Sequence, residues 1–324
     1  MIGLSAARAL AQDGFAVTVF ERHAVGTPLG SSPGRSRIYR RAYHHPDYVG
    51  LSAAAIREWE RIDRRVLVPN GLLMYGTGVE RWAQAMNEAG FEPDWLEPEE
   101  TQRRFPEARF QGPVLLDSDA GAVLADDALR ALAQGLDVRE GVAVADPREL
   151  EADVVVAAAG AWLGQLFDLP LQPWLEQVSY FAGAPDSRPS VIDLGANERP
   201  LFYGLVAPGV GFKVAQDGVA RPWDPDRPDR TLDPEQEGRI ADHVREWFPG
   251  LNPAPYASEA CLYTMTPDSD FVLDTIDGVV VAGGDSGHAF KLAPVLGRLA
   301  ADLAQGRELP LQAKRFSIAR LART

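Results

Sequence analysis

The chain has 324 residues, 46% of them hydrophobic, and a net charge of −14, enough for a large core in one complex domain or two smaller ones. The acidic balance argues against nucleic acid, which needs a clustered basic face; no apolar run reaches the roughly 18 residues of a membrane span, and the N-terminus does not read as a secretory signal. The one cysteine, Cys261, excludes an internal disulfide and a multi-cysteine zinc site and fits a reducing, cytoplasmic setting.

Residues 3–13 are Ala-rich, with Leu4, Ala7, Leu10 and Ala11 at helical spacing, and Gly14 stops the helix. Phe15–Phe20 is a short strand-forming run, read as buried, with Glu21 directly after it. Helix, glycine, strand and acid make the second half of a dinucleotide-binding βαβ unit, where the acid holds a ribose hydroxyl. Gly3 stands where the last glycine of G-x-G-x-x-G would be. The strand and the two glycines before it in that motif are not in these residues. On spacing alone, a βα repeat in any α/β protein reads the same.

Residues 51–65 form an amphipathic helix, 66–120 mix short apolar runs with Pro and Gly, and Val123–Leu136 reads as helical. Asp153–Ala159 is a buried strand entering Gly160-Ala161-Trp162, a turn that suits close approach of backbone to a ligand. Gln177–Phe181, Leu201–Leu205 and Gly211–Val214 alternate, which suits an antiparallel sheet. A Pro/Asp-rich loop, 222–233, precedes a helix over 234–248. Gly278–Ala282 is a buried strand before Gly283-Gly284-Asp285-Ser286-Gly287-His288, and Leu292–Ala304 is the last helix. Strand-glycine-helix units thus lie at both ends, with another half inserted between.

Four motifs, in order, carry a resemblance that spans nearly the whole chain. Cys261-Leu262-Tyr263-Thr264-Met265-Thr266-Pro267-Asp268 is similar to the cysteine segment of the sarcosine oxidase and N-methyltryptophan oxidase family. Ser286-Gly287-His288-Ala289-Phe290-Lys291 matches its S-G-H-G-F-K run, with Ala for one Gly. Ser36-Arg37-Ile38-Tyr39-Arg40 resembles its T-R-x-x-R run. Gly211-Phe212-Lys213 resembles its G-x-K segment, with Tyr203-Gly204 at the expected distance before it.

The resemblance implies an α/β (mixed α+β) fold. A glutathione-reductase-type FAD-binding domain (1–65, 121–165 and 260–324) is interleaved with a substrate domain on a mixed, largely antiparallel sheet (66–120 and 166–259). Little room is left between Val138 and Val154 for the β-meander usual in such FAD domains. It also implies FAD joined to Cys261 by a thioether at the flavin 8α position. Without that context a lone cysteine reads as a small buried hydrophobe.

The roles implied by resemblance are these. Lys213 lies beside the flavin and speeds its reaction with oxygen, since a fixed cation stabilises the anion that oxygen becomes. Arg40 and Lys291 bind a substrate carboxylate. Tyr203 and Tyr263 line the substrate cavity, and the Gly287 carbonyl faces the substrate amine. Arg37 lies against the flavin ring, and Ser36, Gly3, Glu21, Gly160, Trp162 and Gly284 help hold the cofactor. His288 reads as structural, and His44-His45 lacks a third metal ligand. Asp217 and Asp285 depart from the sarcosine oxidase pattern and are candidates for shaping substrate choice.

The reaction so implied is oxidation of the C–N bond of a secondary amino acid, N-methyl, N-alkyl or cyclic, to an imine by a monomer that reduces O2 to H2O2. A deglycating fructosyl-amino-acid oxidase and a flavin amine dehydrogenase stay open, as does a binding protein that no longer holds FAD.

Overall fold

The computed structural model describes residues 1–196 and 199–323. Helix α1 (Ile2–Gln12) gives way to Gly14, whose φ of 95° lets the chain reverse there. β1 (Thr18–Glu21) and β2 (Ser36–Tyr39) follow, then α2 (Pro46–Asp63). This helix starts ahead of the expected residue 51 because His45 caps it, its Nδ1 accepting from the Asp47 amide. Pro46 takes the first turn, where no amide donor is needed. The mixed stretch 66–120 holds β3 (Leu67–Val68), β4 (Leu72–Tyr75), α3 (Val79–Glu88), β5 (Asp94–Leu96), α4 (Pro98–Arg104) and β6 (Val114–Asp117).

The helix expected over 123–136 is shorter. Its first residues belong to β7 (Gly121–Leu124), where Val123 pairs with β2 and is fully buried, and α5 spans only Ala125–Ala133. β8 (Asp137–Glu140) and β9 (Val155–Ala157) come next, joined by a loop with a single 3-10 turn at Pro147–Glu149. The second half runs α6 (Leu163–Phe167), β10 (Gln172–Phe181), β11 (Ser190–Asp193), β12 (Phe202–Ala207), β13 (Gly211–Gln216), β14 (Arg221–Pro222), α7 (Pro234–Trp247), β15 (Ala257–Met265), β16 (Val272–Ile276), β17 (Val279–Gly283) and α8 (Ala293–Ala304).

A nine-stranded sheet carries the order β14-β10-β13-β12-β11-β4-β6-β5, with β15 pairing along β10. It is antiparallel apart from the parallel β11–β4 step, so it is the mixed sheet expected. Residue 260, the expected boundary, falls inside β15. The main core runs from α2 and α8 through this sheet to α7. No helix among the described residues is long and apolar enough to cross a membrane.

One strand departs from expectation. β1 was read as buried, yet its residues alternate between exposed and half-buried, and Phe20 is 37% exposed. The cause is the lack of a second partner: among the described residues β1 pairs, in parallel, with β8 alone. Residues 16–20 line a cavity instead, as do residues 154–159 around β9, which among the described residues pairs only with β17.

Helix α1 packs across α8. A Cβ added at Gly297 would lie 2.3 Å from Ser5 Cβ and 2.5 Å from the Ser5 carbonyl carbon. Both are parts of a packed helix, so Gly297→Ala should cost about 1–3 kcal/mol or more through overpacking. Denaturant unfolding measures this, and an unchanged midpoint at unchanged m would show that the helices separate freely.

Candidate active site

A cavity of about 1730 Å³ runs from the first turn of α1 to the face of the large sheet. That exceeds the roughly 300–1,000 Å³ of ordinary small-ligand pockets and suits an elongated ligand with a second molecule beside it. Its far end is walled by Gly3, Glu21, Gly160 and Trp162, four of the expected cofactor residues.

Strand periodicity builds the near wall. Alternate residues face one way, so β10 presents Glu176 and Tyr180, β15 presents Glu259, Cys261 and Tyr263, and β12 presents Tyr203. Register sets the neighbours: Glu176 lies across from Cys261, and Tyr180 across from Lys213. The Tyr203 and Tyr263 hydroxyls meet at 3.0 Å, and Tyr180 donates to Glu259 at 2.9 Å.

Lys213 is 3% exposed, and its ammonium donates to the Ser36 carbonyl. Burial takes its pKa down from 10.5 to about 7, helped by the nearby Arg37 charge and opposed by Cys261 and Glu259. Cys261 also lines the cavity; burial pushes its thiol up, while Arg37 and Lys213 pull it back.

Arg40 has no ion-pair partner among the described residues. Its guanidinium carbon lies 4.5 Å from the Tyr43 ring centroid and 5.1 Å from that of Trp82, and its buried Nε has no hydrogen-bond partner. Lys291 donates to the His288 carbonyl at 3.0 Å, and burial, with Arg40 and Arg37 adding to it, holds its pKa well below the usual lysine value. Trp59 Nε1 fixes the Lys291 carbonyl at 2.9 Å. An unpaired guanidinium and a depressed ammonium on one aromatic wall form a ready anion site.

Other residues act on the frame. Arg37 donates to the carbonyls of Ser31, Pro33 and Ser36 at 3.2, 2.7 and 3.0 Å, so its guanidinium shapes the 31–36 loop. Ser36 and Gly284 do not line the cavity. Ser36 is fully buried, and its carbonyl accepts from Arg37 and Lys213. Gly284 has φ of 61° and sits against Thr266. Gly287 does line it, with φ of 75°, and a Cβ there would come within 2.6 Å of the Tyr263 ring.

The two aspartates differ. Asp285 uses both oxygens on backbone, accepting from Gly287 N at 3.0 Å and Thr264 N at 3.2 Å, and so ties the 285–288 turn to β15. Asp217 faces the cavity, where it stays open to solvent; partial desolvation raises its pKa, and Arg40 opposes the rise. His288 packs 4.5 Å from Phe271, contacts the Ser269 carbonyl at 3.0 Å, and is kept neutral with a pKa of about 3 by burial. No group of three His, Cys, Asp or Glu among the described residues is placed to hold a metal.

Sequence reasoning missed Glu176, Glu259 and Arg230. Alternation along β10 and β15 would have put both acids on the Cys261 face. Arg230 comes from the loop expected at 222–233 and donates to the Leu29 and Gly30 carbonyls, so nothing local announced it.

FAD fits the residues present. The first amides of α1 reach the cavity with no helical partner of their own, as an anion requires. Glu21 ends β1 at the ribose position. Ser31 Oγ and Arg230 Nε are buried without partners beside the same space.

Comparison with known proteins decides the family. A family model described as "FAD dependent oxidoreductase" matches residues 1–303. The chain belongs to that family. Peroxisomal sarcosine oxidase of Mus musculus is 31% identical over 91% of this chain and 87% of its own length. Monomeric sarcosine oxidase of Bacillus sp. (strain B-0618) is 26% identical over 99% of this chain and 94% of its own. Among solved structures, NikD, described as an unusual amino acid oxidase, superposes with a TM-score of 0.82 at 24% identity, covering 98% of this chain and 94% of that one. This FAD-dependent oxidoreductase therefore shares the α/β fold that its motifs implied.

Proposed function

We propose that the chain oxidises the C–N bond of a secondary amino acid, N-methyl, N-alkyl or cyclic, to an imine and reduces O2 to H2O2. The unpaired Arg40 beside Lys291 carries this reading, because it is a preformed site for a carboxylate within the cavity that also holds Lys213 and Cys261. Bound FAD supplies the redox chemistry, taking two electrons from the C–N bond and passing them to oxygen.

The chain's own residues bind and orient. Arg40 and Lys291 hold the carboxylate, which returns charge to the depressed lysine. Their positive field favours the neutral form of the substrate amine, the form that gives up electrons. Gly287 leaves its backbone exposed to that amine, because any side chain there meets Tyr263. The Tyr203–Tyr263 pair stands on the same side, next to Gly287. Cys261 tethers the flavin, and Lys213 serves the oxygen step.

Segments 1–65, 121–165 and 260–324 hold the cofactor, and 66–120 with 166–259 shape the substrate side. The chain acts as a cytoplasmic monomer in this reading; the single cysteine fits a reducing compartment. A peroxide-coupled screen of secondary amino acids on the flavin-loaded protein tests the reaction. Peroxide formed with at least one N-alkyl amino acid is the expected result. A yellow protein inert to the whole set, with or without an artificial electron acceptor, would sink it.

A further inference from the structure

Glu176 is a buried acid that the reaction above leaves without a task. It is 1% exposed, and it lines the cavity. The Gln177 amide and the Gln236 side chain both donate to the same oxygen, Oε1, at 2.8 and 2.9 Å. Among the described residues no donor reaches Oε2, and no cation pairs with the carboxylate. Asp217 faces the same space, with the amide of Gly218 as its donor. Asp217 lies near enough to raise Glu176 further, and both carboxylates act on the half-buried Tyr203. Arg221 favours the charged form of Glu176 through its field, but no ion pair among the described residues offsets the burial, and a buried anion without one is costly to keep. Here two amide groups hold Glu176 in place with one oxygen turned to a cavity built for a ligand.

We infer that Glu176 and Asp217 form a cation subsite, so that the preferred substrate is a diamino acid, its carboxylate on Arg40 and Lys291 and its distal basic group on these two acids. This rests on the proposed amine oxidation. A single ammonium satisfies both carboxylates, since it has three donors and a full charge. It also reverses the effect of burial, which without it lifts Glu176 from 4.5 to about 7. Asp285 has no part in this, because both of its oxygens already accept backbone amides.

Two measurements on the flavin-loaded enzyme test it. The first is calorimetric binding of 4-aminobutanoate, 5-aminopentanoate and 6-aminohexanoate against butanoate, pentanoate and hexanoate, none of which carries an oxidisable secondary amine. At least one amino member should bind ten-fold tighter or better than its plain partner. E176Q should cut that preference, and E176Q with D217N should abolish it. Equal affinities in every pair, or a preference that survives the double substitution, would overturn the subsite. D217N alone keeps the test open should E176Q unfold, since Asp217 lies at the cavity rather than in the core. The second is the ratio of kcat/KM for Nα-methyllysine to that for sarcosine, which should be well above one and fall at least ten-fold in the double variant. Oxidation of sarcosine with a ratio near one would reject the subsite and leave the reaction standing. Oxidation of neither would overturn the diamino-acid preference and leave the reaction itself to the wider screen of secondary amino acids.

Discussion

Replacing Lys213 with Met should slow reoxidation of the reduced flavin by about 10²–10³-fold, the usual loss when one preorganised charge-stabilising group is removed, and leave flavin reduction by substrate nearly unchanged. Oxygen gains negative charge as it accepts electrons. The only group on β13 placed to meet that charge is an ammonium buried to 3% exposure and held by the Ser36 carbonyl. Methionine keeps the length and bulk of the chain and drops the charge, so cavity shape is preserved. Stopped-flow mixing of the reduced enzyme with oxygen, set against anaerobic mixing with substrate, separates the two halves. Equal slowing of both would mean that Lys213 supports the cofactor's position and not the oxygen step.

The same lysine predicts a pH dependence with a definite sign. The charged form is the useful one, and it is lost as pH rises through about 7. Wild-type reoxidation should therefore fall above neutrality, and the Met variant should show no such fall. Stability moves the other way. The unfolded lysine holds its proton up to about 10.5 and the folded one only up to about 7. Over that interval the unfolded chain binds more protons, so this group's contribution makes the fold more stable as pH rises and less stable as it falls.

Much of this site was legible because short-range pattern and local chemistry agreed. The alternation over Gln177–Phe181, Leu201–Leu205 and Gly211–Val214 became β10, β12 and β13, and it alone puts Tyr203 and Lys213 on a shared sheet. The turn at Gly287 follows from a residue type that a side chain at φ of 75° would not tolerate. Long-range partners were not legible. Phe15–Phe20 has the composition of a buried strand, but burial needs neighbours on both edges, and among the described residues β1 has one. Val123 carries the pattern of a helix start, and pairing with β2 overrides it. Asp217 and Asp285 looked alike as candidate substrate contacts; only the backbone amides of Thr264 and Gly287 tell them apart. Glu176 sits in a run, Trp174-Leu175-Glu176-Gln177, whose strand period shows which residues share a face and not what lies across from them.

Cys261→Ser should abolish covalent flavin entirely. After acid precipitation, wild type should keep its yellow colour in the pellet, and the variant should release it to the supernatant. The sulfur is the chain's only thiol, it lines the cavity, and Arg37 and Lys213 favour the thiolate form that reacts. Burial opposes that form, so Lys213→Met should also slow attachment, because it removes one of the two charges that favour the thiolate. A gel of denatured protein viewed for flavin fluorescence reads both variants. Flavin that stays bound to the Ser variant would move the linkage to another side chain. Flavin that washes out of denatured wild type would show that the cavity holds FAD by contacts alone, with Glu21, the first turn of α1 and the loop at Ser31–Ser36 carrying all of the binding. Serine preserves the size of the side chain and its place across from Glu176, so a change in colour retention reports the bond and not a collapsed wall.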